Sequence, residues 1–375
     1  MSAKTIRIGI AVSLSGRYAE QGRQCLEGVR CYVRDANGAN GIFLREAGCA
    51  VPVELRIYDD ESRVGKLRTL TDKLVRQDAT DILLGPYGSG LAVAAAEIAS
   101  ANQTVLWNHS GATDRIFAAE HEWVVGICSP ASRYFASVLD FVSVVSPGPR
   151  TVALFSATTG FAQEVASGAR ASAARHGFRL IRDESYRSLT RDFRPMLAGL
   201  GAEPPEVVLG VGRIEDDLRF ARALRRSGLR PKVAALVGAG IERFARELGD
   251  AAEGFLAPSQ WEPRAHQAVS YGPSTEEFTR RYAEQSPEAL DYPAAQAYAG
   301  ALIAQRCVEV AGSTDQWALR AAASTLRLRT FFGRFAIDRA TGKQTGHRML
   351  AIRWQDGRKA IVWPPELAEA SPIDP

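Results

Sequence analysis

Three short segments rich in glycine, hydroxyl-bearing and aromatic residues have the chemistry to bind a small ligand. The first runs from Gly85 to Gly90 and contains Tyr87 and Ser89. It follows the predicted strand 81–85 and precedes the predicted helix 91–101, so we expect Ser89 to be the N-cap of that helix. A hydroxyl group beside the free amides of a helix N-terminus binds anionic or carbonyl groups. The same residues also suit a plain capped turn that binds nothing.

The second segment follows the next predicted strand, 104–107, and carries His109, Ser110, Gly111, Ala112 and Thr113. Small residues let a ligand approach the backbone closely, and hydroxyl groups hydrogen-bond a carboxylate. His109 has the chemistry of a general base, although a single loop histidine is more commonly a polar contact. This segment is therefore predicted to add backbone amides and a hydroxyl group to the same site.

Further candidates follow other predicted strands. Tyr18 ends the segment 13–18 after the first strand, and Phe161 and Arg213 occupy equivalent positions in the second half of the chain. In open α/β sheets, ligands bind beyond the carboxyl ends of the strands. Each of these positions is ordinary by itself, but together they are predicted to line the rims of two facing lobes.

Signatures of catalysis and of metal binding are missing from the sequence. It contains no G-x-S-x-G, H-E-x-x-H or G-x-x-x-x-G-K-[ST] motif, and its 5 cysteines form no CxxC pair. The net charge of +4 comes from basic residues interspersed with acidic ones, which does not indicate a nucleic-acid binder. The longest uncharged stretch, 82–96, is shorter than the ~20 apolar residues of a membrane span. We expect no enzyme, no metal or other cofactor, and no nucleic-acid partner.

The elements that position these segments alternate regularly along the 375 residues. Apolar runs predict strands, amphipathic runs between them predict helices, and this alternation indicates parallel sheets. The predicted strands are 6–13, 53–58, 81–85, 104–107 and 123–127, and then 151–155, 179–185, 206–211 and 232–237. The predicted fold class is therefore α/β, with two doubly wound parallel-sheet lobes. The tail ends in a predicted hairpin around Asp356 and Gly357, and it is too short to form a third core.

Several motifs in order along the chain resemble one known family. They are Ile6 to Gly16 followed by Gly22, Tyr58 to Asp60, the segments 85–89 and 110–113, and the tail motifs at 332–334 and 354–357. Together they resemble the leucine/isoleucine/valine-binding branch of type I periplasmic binding proteins. The resemblance implies a protein that delivers a small solute to the permease subunits of an ABC importer. It also implies a periplasmic location, with a leader removed ahead of Met1.

The resemblance further implies two lobes that close over the ligand in the interlobe cleft, joined by a hinge of three crossings. The crossings are expected near 128–130, 254–259 and 331–335. The N-terminal lobe would then comprise residues 1–127 and 255–330, and the C-terminal lobe residues 128–254 and 331–375.

The family's ligand contacts map onto this sequence residue by residue. Ser89 lies where the family bonds the ligand carboxylate, and residues 111–113 lie where amides and a hydroxyl group complete that site. Phe161 replaces a common tyrosine, and Arg213 falls near a second one. The acidic residue expected to hold an α-ammonium group is missing, because the chain reads Val237 to Gly240 there. A buried ammonium group without a carboxylate costs several kcal/mol, which disfavours an α-amino acid ligand.

An aromatic carboxylate is the preferred ligand class. A flat ring would be walled by Tyr18, Tyr87, His109, Phe161 and Trp261. Arg213 would bond a second polar group of the ligand, or it forms a surface ion pair with Glu215 or Asp216. The alternatives are a binder of branched-chain or other amino acids, a cytoplasmic sensor of amides or urea, and a hydrolase that uses Ser89 or His109.

Overall fold

A computed structural model describes residues 4–147, 150–201 and 203–369. The ends of the two expected lobes, at residues 1–3 and 370–375, lie outside the described residues. The strands are β1 (Ile6–Val12), β2 (Ile42–Leu44), β3 (Cys49–Val51), β4 (Val53–Asp59), β5 (Ile82–Leu84), β6 (Leu106–Asn108), β7 (Val124–Gly126), β8 (Thr151–Ala157), β9 (Arg179–Tyr186), β10 (Val207–Val211), β11 (Val233–Leu236), β12 (Leu256–Ser259), β13 (Leu328–Thr330), β14 (Gly333–Phe335), β15 (Leu350–Gln355) and β16 (Arg358–Trp363).

The α-helices between these strands follow the predicted alternation. They are α1 (Ala19–Gly38), α2 (Val64–Arg76), α3 (Ser89–Ala101), α4 (Ala136–Val145), α5 (Gly160–Arg175), α6 (Arg194–Ala198), α7 (Ile214–Arg226), α8 (Glu242–Leu248), α9 (Thr275–Gln285), α10 (Tyr292–Ala311) and α11 (Gln316–Thr325). Two N-termini have the expected signals. The Ser274 hydroxyl accepts from the Glu277 N–H at 3.1 Å, and a proline lies in the first turn of α10, where the Asp291 carboxylate caps the helix.

The chain divides into two compact units. The first unit ends at Pro130 and resumes over Pro263–Arg348, and the second comprises Ala131–Glu262 and begins again at Met349. The chain therefore passes between the units three times, after Pro130, Glu262 and Arg348, whereas the sequence places these passages near 128–130, 254–259 and 331–335. Residues 255–262 belong to the second unit because β12 pairs with β11 and β15 inside its sheet. Residues 331–348 belong to the first unit, where Gly126 N–H donates to the Gly342 carbonyl oxygen at 2.9 Å.

The first unit contains a five-stranded parallel sheet in the order β4-β1-β5-β6-β7. Its interior strand β1, which lies between β4 and β5, buries Ile6, Ile8 and Ile10 completely, as an apolar strand covered on both faces should. Helix α1 packs against the apolar helix α10, and the two backbones approach closely at Gly28, where a Cβ atom would lie 2.2 Å from the Ala294 carbonyl oxygen. Because the strands are parallel, the loops after β1, β5 and β6 all leave the carboxyl edge of this sheet.

The second unit contains a seven-stranded mixed sheet in the order β16-β15-β12-β11-β10-β8-β9. Strands β8 to β12 are parallel, whereas β15 runs antiparallel to β12 and to β16. The turn between β15 and β16 has φ of 52° at Asp356 and 72° at Gly357, which are the left-handed angles of the predicted hairpin turn. The loops after β8, β10 and β11 leave the carboxyl edge of this sheet.

Candidate functional site

Helix α3 begins at Ser89 with its amino end at the carboxyl edge of the first sheet. Gly88, and not Ser89 as predicted, is the N-cap, because the chain turns there with φ 98°, an angle that favours glycine. Ser89 lies in the first helical turn, is half-buried, and its hydroxyl group makes no hydrogen bond within the described chain. The first amides of a helix lack intrahelical acceptors. The predicted combination of a hydroxyl group and several amides is therefore present, one residue later in the helix than expected.

Two tyrosines border this helix start. The rings of Tyr18 and Tyr87 meet edge to face, with centroids 5.8 Å apart and an interplanar angle of 64°. A Cβ atom on Gly88 would lie 3.2 Å from the Tyr18 ring, so the ring packs directly on the turn. The Tyr87 hydroxyl lies 2.6 Å from the hydroxyl of Tyr292 on α10, and the Arg17 guanidinium lies 4.6 Å from the Tyr18 centroid. The structure thus brings Tyr18 of the segment 13–18 to the segment that contains Tyr87 and Ser89.

The side chains of His109 and Ser110 face into the first unit. The Ser110 hydroxyl accepts from Gln296 Nε2 at 2.6 Å and lies 2.5 Å from His109 Nδ1 and 3.6 Å from Cys25 Sγ. His109 is fully buried, and burial lowers its pKa to about 4, so the imidazole is neutral near neutral pH. Both side chains, which the sequence offered as ligand contacts, are occupied by this internal network. Gln296 was missed because only the fold brings it to residue 110.

The loop after Ser110 lies tightly on α3. The Gly111 N–H donates to Asn108 Oδ1 at 2.9 Å, and Asn108 Nδ2 donates to the Gly111 carbonyl oxygen at 2.8 Å. A Cβ atom on Gly111 would lie 2.2 Å from Ala92 Cβ, so only glycine fits. The Gly111 amide is therefore occupied. The Ala112 amide makes no hydrogen bond within the part of the chain that the structure describes, and Thr113 is buried at the start of a 3₁₀ turn.

The second unit places Phe161 in the first turn of α5. Its ring meets Tyr134 edge to face, with centroids 5.3 Å apart. The N-terminus of α5 is capped by Thr159, whose hydroxyl accepts from the Ala162 N–H at 3.3 Å. The sequence interpretation missed Tyr134 because it considered residues that directly follow a strand, whereas Tyr134 lies just before helix α4. The expected aromatic wall at Phe161 is therefore a pair of rings. Trp261, the remaining aromatic candidate, is almost completely buried in this unit.

Arg213 is exposed at the N-cap of α7. Its backbone N–H donates to Asp216 Oδ2 at 3.4 Å, whereas its guanidinium group makes no ion pair or hydrogen bond among the described residues. The alternative ion pairs are not formed, because Glu215 pairs with Arg243 at 2.9 Å and Asp216 lies 4.0 Å from Arg219. Arg213 therefore offers a cation at the carboxyl edge of the second sheet.

The 3₁₀ turn Val237–Gly240 follows β11 and carries no acidic side chain, as the sequence indicates. A carboxyl group nevertheless reaches it from α7. Asp217 is fully buried, and its Oδ2 accepts from the Gly238 N–H at 2.6 Å. The sequence interpretation did not single out Asp217, because nothing in its local pattern shows that α7 packs against this turn.

Metal-binding groups, thiols and membrane-spanning helices were sought in the ranges that the structure describes. No group of three or more histidine, cysteine, aspartate or glutamate residues could hold a metal ion. The 5 cysteines are free thiols there, and Cys49 alone among them is exposed. No helix in these ranges combines the length and apolar composition of a membrane span. The arrangement can bind through amides, hydroxyl groups, aromatic rings and a guanidinium group.

Two α/β units, one with a parallel sheet and one with a mostly parallel mixed sheet, define a two-unit α/β protein. The chain belongs to the periplasmic binding protein family, whose sequence pattern matches residues 5–359. It is 22% identical to Leu/Ile/Val-binding protein homolog 7 of Brucella abortus (strain 2308), over 96% of this chain and 91% of that protein. The expected family and fold class are thereby confirmed.

Solved structures share the fold. A putative branched-chain amino acid ABC transporter protein from Silicibacter pomeroyi superposes with a TM-score of 0.85 at 17% identity, covering 99% of each chain. A solute-binding protein of an ABC transporter from R. palustris, in complex with 4-hydroxybenzoate, superposes with a TM-score of 0.76 at 18% identity, covering 96% of this chain and 95% of that one.

Proposed function

We propose that this protein is the solute-binding protein of an ABC importer and that its ligand is a small aromatic carboxylate. The observation that carries the proposal is the amino end of α3 beside the Tyr18 and Tyr87 ring pair. The positive end of a helix dipole and its free amides stabilise a carboxylate, and the Ser89 hydroxyl adds a donor. The two rings supply the apolar, aromatic surroundings that a flat ring requires.

The second unit contributes the groups that favour an aromatic acid over an amino acid. In this unit the Phe161 and Tyr134 rings form an aromatic pair, and the exposed Arg213 suits a carboxylate or hydroxyl group. The turn Val237–Gly240 has no carboxylate of its own for an α-ammonium group. On the first unit, the Ala112 amide and Thr113 complete the carboxylate site, while His109 and Ser110 support the loop from within.

Family membership supports the remaining parts of the proposal. The protein works in the periplasm, releases its ligand to permease subunits of an ABC importer, and catalyses no reaction. The R. palustris protein of the same fold binds 4-hydroxybenzoate, which supports the aromatic ligand. A branched-chain amino acid is the second candidate, because the Brucella relative is named for leucine, isoleucine and valine.

A thermal-shift panel of three compound classes tests the proposal. The panel contains benzoate and 4-hydroxybenzoate, then L-leucine and L-valine, then acetamide and urea. A ligand at ~100 times its dissociation constant adds about 2.7 kcal/mol to the folded state, which is a readable shift. We expect a shift with the aromatic acids alone. A shift confined to leucine and valine would replace the aromatic acid by the second candidate, and mass spectrometry of each mixture would reveal any product of catalysis.

A further inference from the structure

Two consecutive acids in the first turn of α7 are completely buried, and each holds a different loop. Asp216 accepts from the Leu189 N–H at 2.7 Å and from the Ser188 hydroxyl at 3.0 Å, so it fixes the loop after β9. Asp217 accepts from the Gly238 N–H at 2.6 Å, so it fixes the turn after β11. The loops held in this way leave the carboxyl edge of the second sheet.

The space around Asp217 is built from two glycines. A Cβ atom on Gly238 would lie 2.9 Å from Asp217 Oδ2, and one on Gly212 would lie 2.8 Å from Asp217 Oδ1 and 2.5 Å from the Tyr186 hydroxyl. Neither glycine has a left-handed φ angle, so close approach and not backbone conformation requires them. The carboxyl group therefore spans the gap between the ends of β10 and β11.

The second oxygen of this carboxyl group is buried without a hydrogen bond among the described residues. Burial raises the pKa of Asp217 well above its usual value, and the adjacent Asp216 raises it further, against the opposing effect of the Gly238 amide. The other titratable group facing it is Tyr186, whose own pKa is raised by burial and by both aspartates. Burial thus disfavours the charged form of this carboxyl group.

We propose that Asp217 is a positioning residue: its buried carboxyl group sets the Val237–Gly240 turn against the Gly212 loop and does not contact the ligand. The proposal rests on the proposed function, because it assumes that these loops contribute to ligand binding. It deepens that function in one respect: the acid nearest to the turn is used by the protein itself. Because this carboxyl group is fully buried and bonded to Gly238, it is not available to a ligand's ammonium group, and a ligand without an amine is favoured.

The test compares Asp217→Asn with Asp217→Ala. Asparagine keeps an oxygen that accepts from the Gly238 N–H but has no ionisable carboxyl group, whereas alanine removes the acceptor. Titration calorimetry with 4-hydroxybenzoate measures affinity, and hydrogen–deuterium exchange of the Gly238 amide, without ligand, measures positioning. We expect Asp217→Asn to bind within about threefold of wild type. We expect Asp217→Ala to bind at least tenfold more weakly and to exchange the Gly238 amide at least tenfold faster.

Asp250→Ala is the matched control, because Asp250 is an exposed aspartate of the same unit. It should change neither quantity. The proposal is overturned if Asp217→Ala keeps wild-type affinity, or if Asp217→Asn loses affinity as fully as Asp217→Ala does, since the charge would then be what matters. If the wild-type protein binds none of the compounds of the thermal-shift panel, the proposed function fails. The positioning role is tested separately, because unchanged exchange of the Gly238 amide in Asp217→Ala would overturn it.

Discussion

Ser89 and Ser110 both lie in loops expected to bind the ligand, yet the structure predicts opposite consequences for their replacement by alanine. The Ser89 hydroxyl is half-buried and makes no hydrogen bond within the described chain. The Ser110 hydroxyl is bonded to Gln296 Nε2 at 2.6 Å and to His109 Nδ1 at 2.5 Å. Ser89→Ala should therefore affect binding, and Ser110→Ala should affect stability.

The magnitudes follow from what each hydroxyl group contacts. Removing a hydrogen bond to a charged carboxylate costs about 1.5–3 kcal/mol, so Ser89→Ala should raise the dissociation constant about 10- to 100-fold. Ser110→Ala leaves a buried donor and a buried acceptor unsatisfied, at about 1–3 kcal/mol each. We expect a loss of ~2–6 kcal/mol in the free energy of unfolding, which lowers the melting temperature by about 4–24 °C in a unit of this size.

The assay pairs calorimetric titration of 4-hydroxybenzoate with thermal unfolding of the unliganded variants. We expect Ser89→Ala to melt within about 1 °C of wild type, because a surface change away from any partner alters stability little. The reasoning is refuted if Ser110→Ala weakens binding more than Ser89→Ala does while melting like wild type. That result would mean that the Ser110 hydroxyl faces the ligand and that the internal network is absent in solution.

Three further predictions concern other parts of the two units. His109→Gln should destabilise the protein less and less as the pH falls from 6.5 to 4. The pKa of His109 in the folded state, about 4, lies below its ordinary value of 6.5, so the unfolded state binds one more proton in this pH range. The wild-type protein therefore loses up to ~3 kcal/mol of its free energy of unfolding as the pH falls, and a variant without the histidine does not. Urea unfolding at several pH values measures this, and a difference that is constant with pH would contradict it. Arg213→Ala should weaken 4-hydroxybenzoate binding about three- to tenfold and leave the affinity for benzoate, which lacks the second polar group, unchanged. Equal losses for the two acids in titrations would argue against a contact between Arg213 and the ligand hydroxyl group. Gly22→Ala should lower the free energy of unfolding by ~2–3 kcal/mol, because its Cβ atom would lie 1.8 Å from the Ser13 carbonyl oxygen. The control Gly38→Ala, whose Cβ atom would have no atom within 4 Å, should be neutral or stabilising by up to ~1 kcal/mol. Similar unfolding midpoints for the two variants would refute the packing argument.

The local pattern of apolar and polar residues was enough to predict most of the strands and helices. The predicted strand 6–13 is β1 (Ile6–Val12), and the predicted helix 91–101 is α3 (Ser89–Ala101), because the apolar pattern of such elements is visible in the sequence. The hairpin of β2 and β3 was missed because each strand has three residues and Phe43 is exposed, so neither shows a buried run. Two of the three chain passages were displaced because the pairing of β12 with β15 links residues far apart in sequence.

The candidate site was predictable where single segments carry it. Ser89, Tyr87 and Tyr18 could be found because each follows a strand that the pattern identifies. Asp217 could not be found, because it acts on Gly238 through a contact between α7 and a turn that comes 21 residues later. The internal roles of His109 and Ser110 were equally hidden, since they depend on where α10 packs.

Calorimetric titration of the wild-type protein with 4-hydroxybenzoate and with L-leucine, under identical conditions at pH 7, tests the central claim most directly. The account predicts binding of the aromatic acid with one site per chain and at least about 100-fold weaker binding of leucine, a difference of about 2.7 kcal/mol. Tight binding of leucine together with no heat from 4-hydroxybenzoate would contradict it, because an acid would then hold the α-ammonium group that the second unit is argued to exclude.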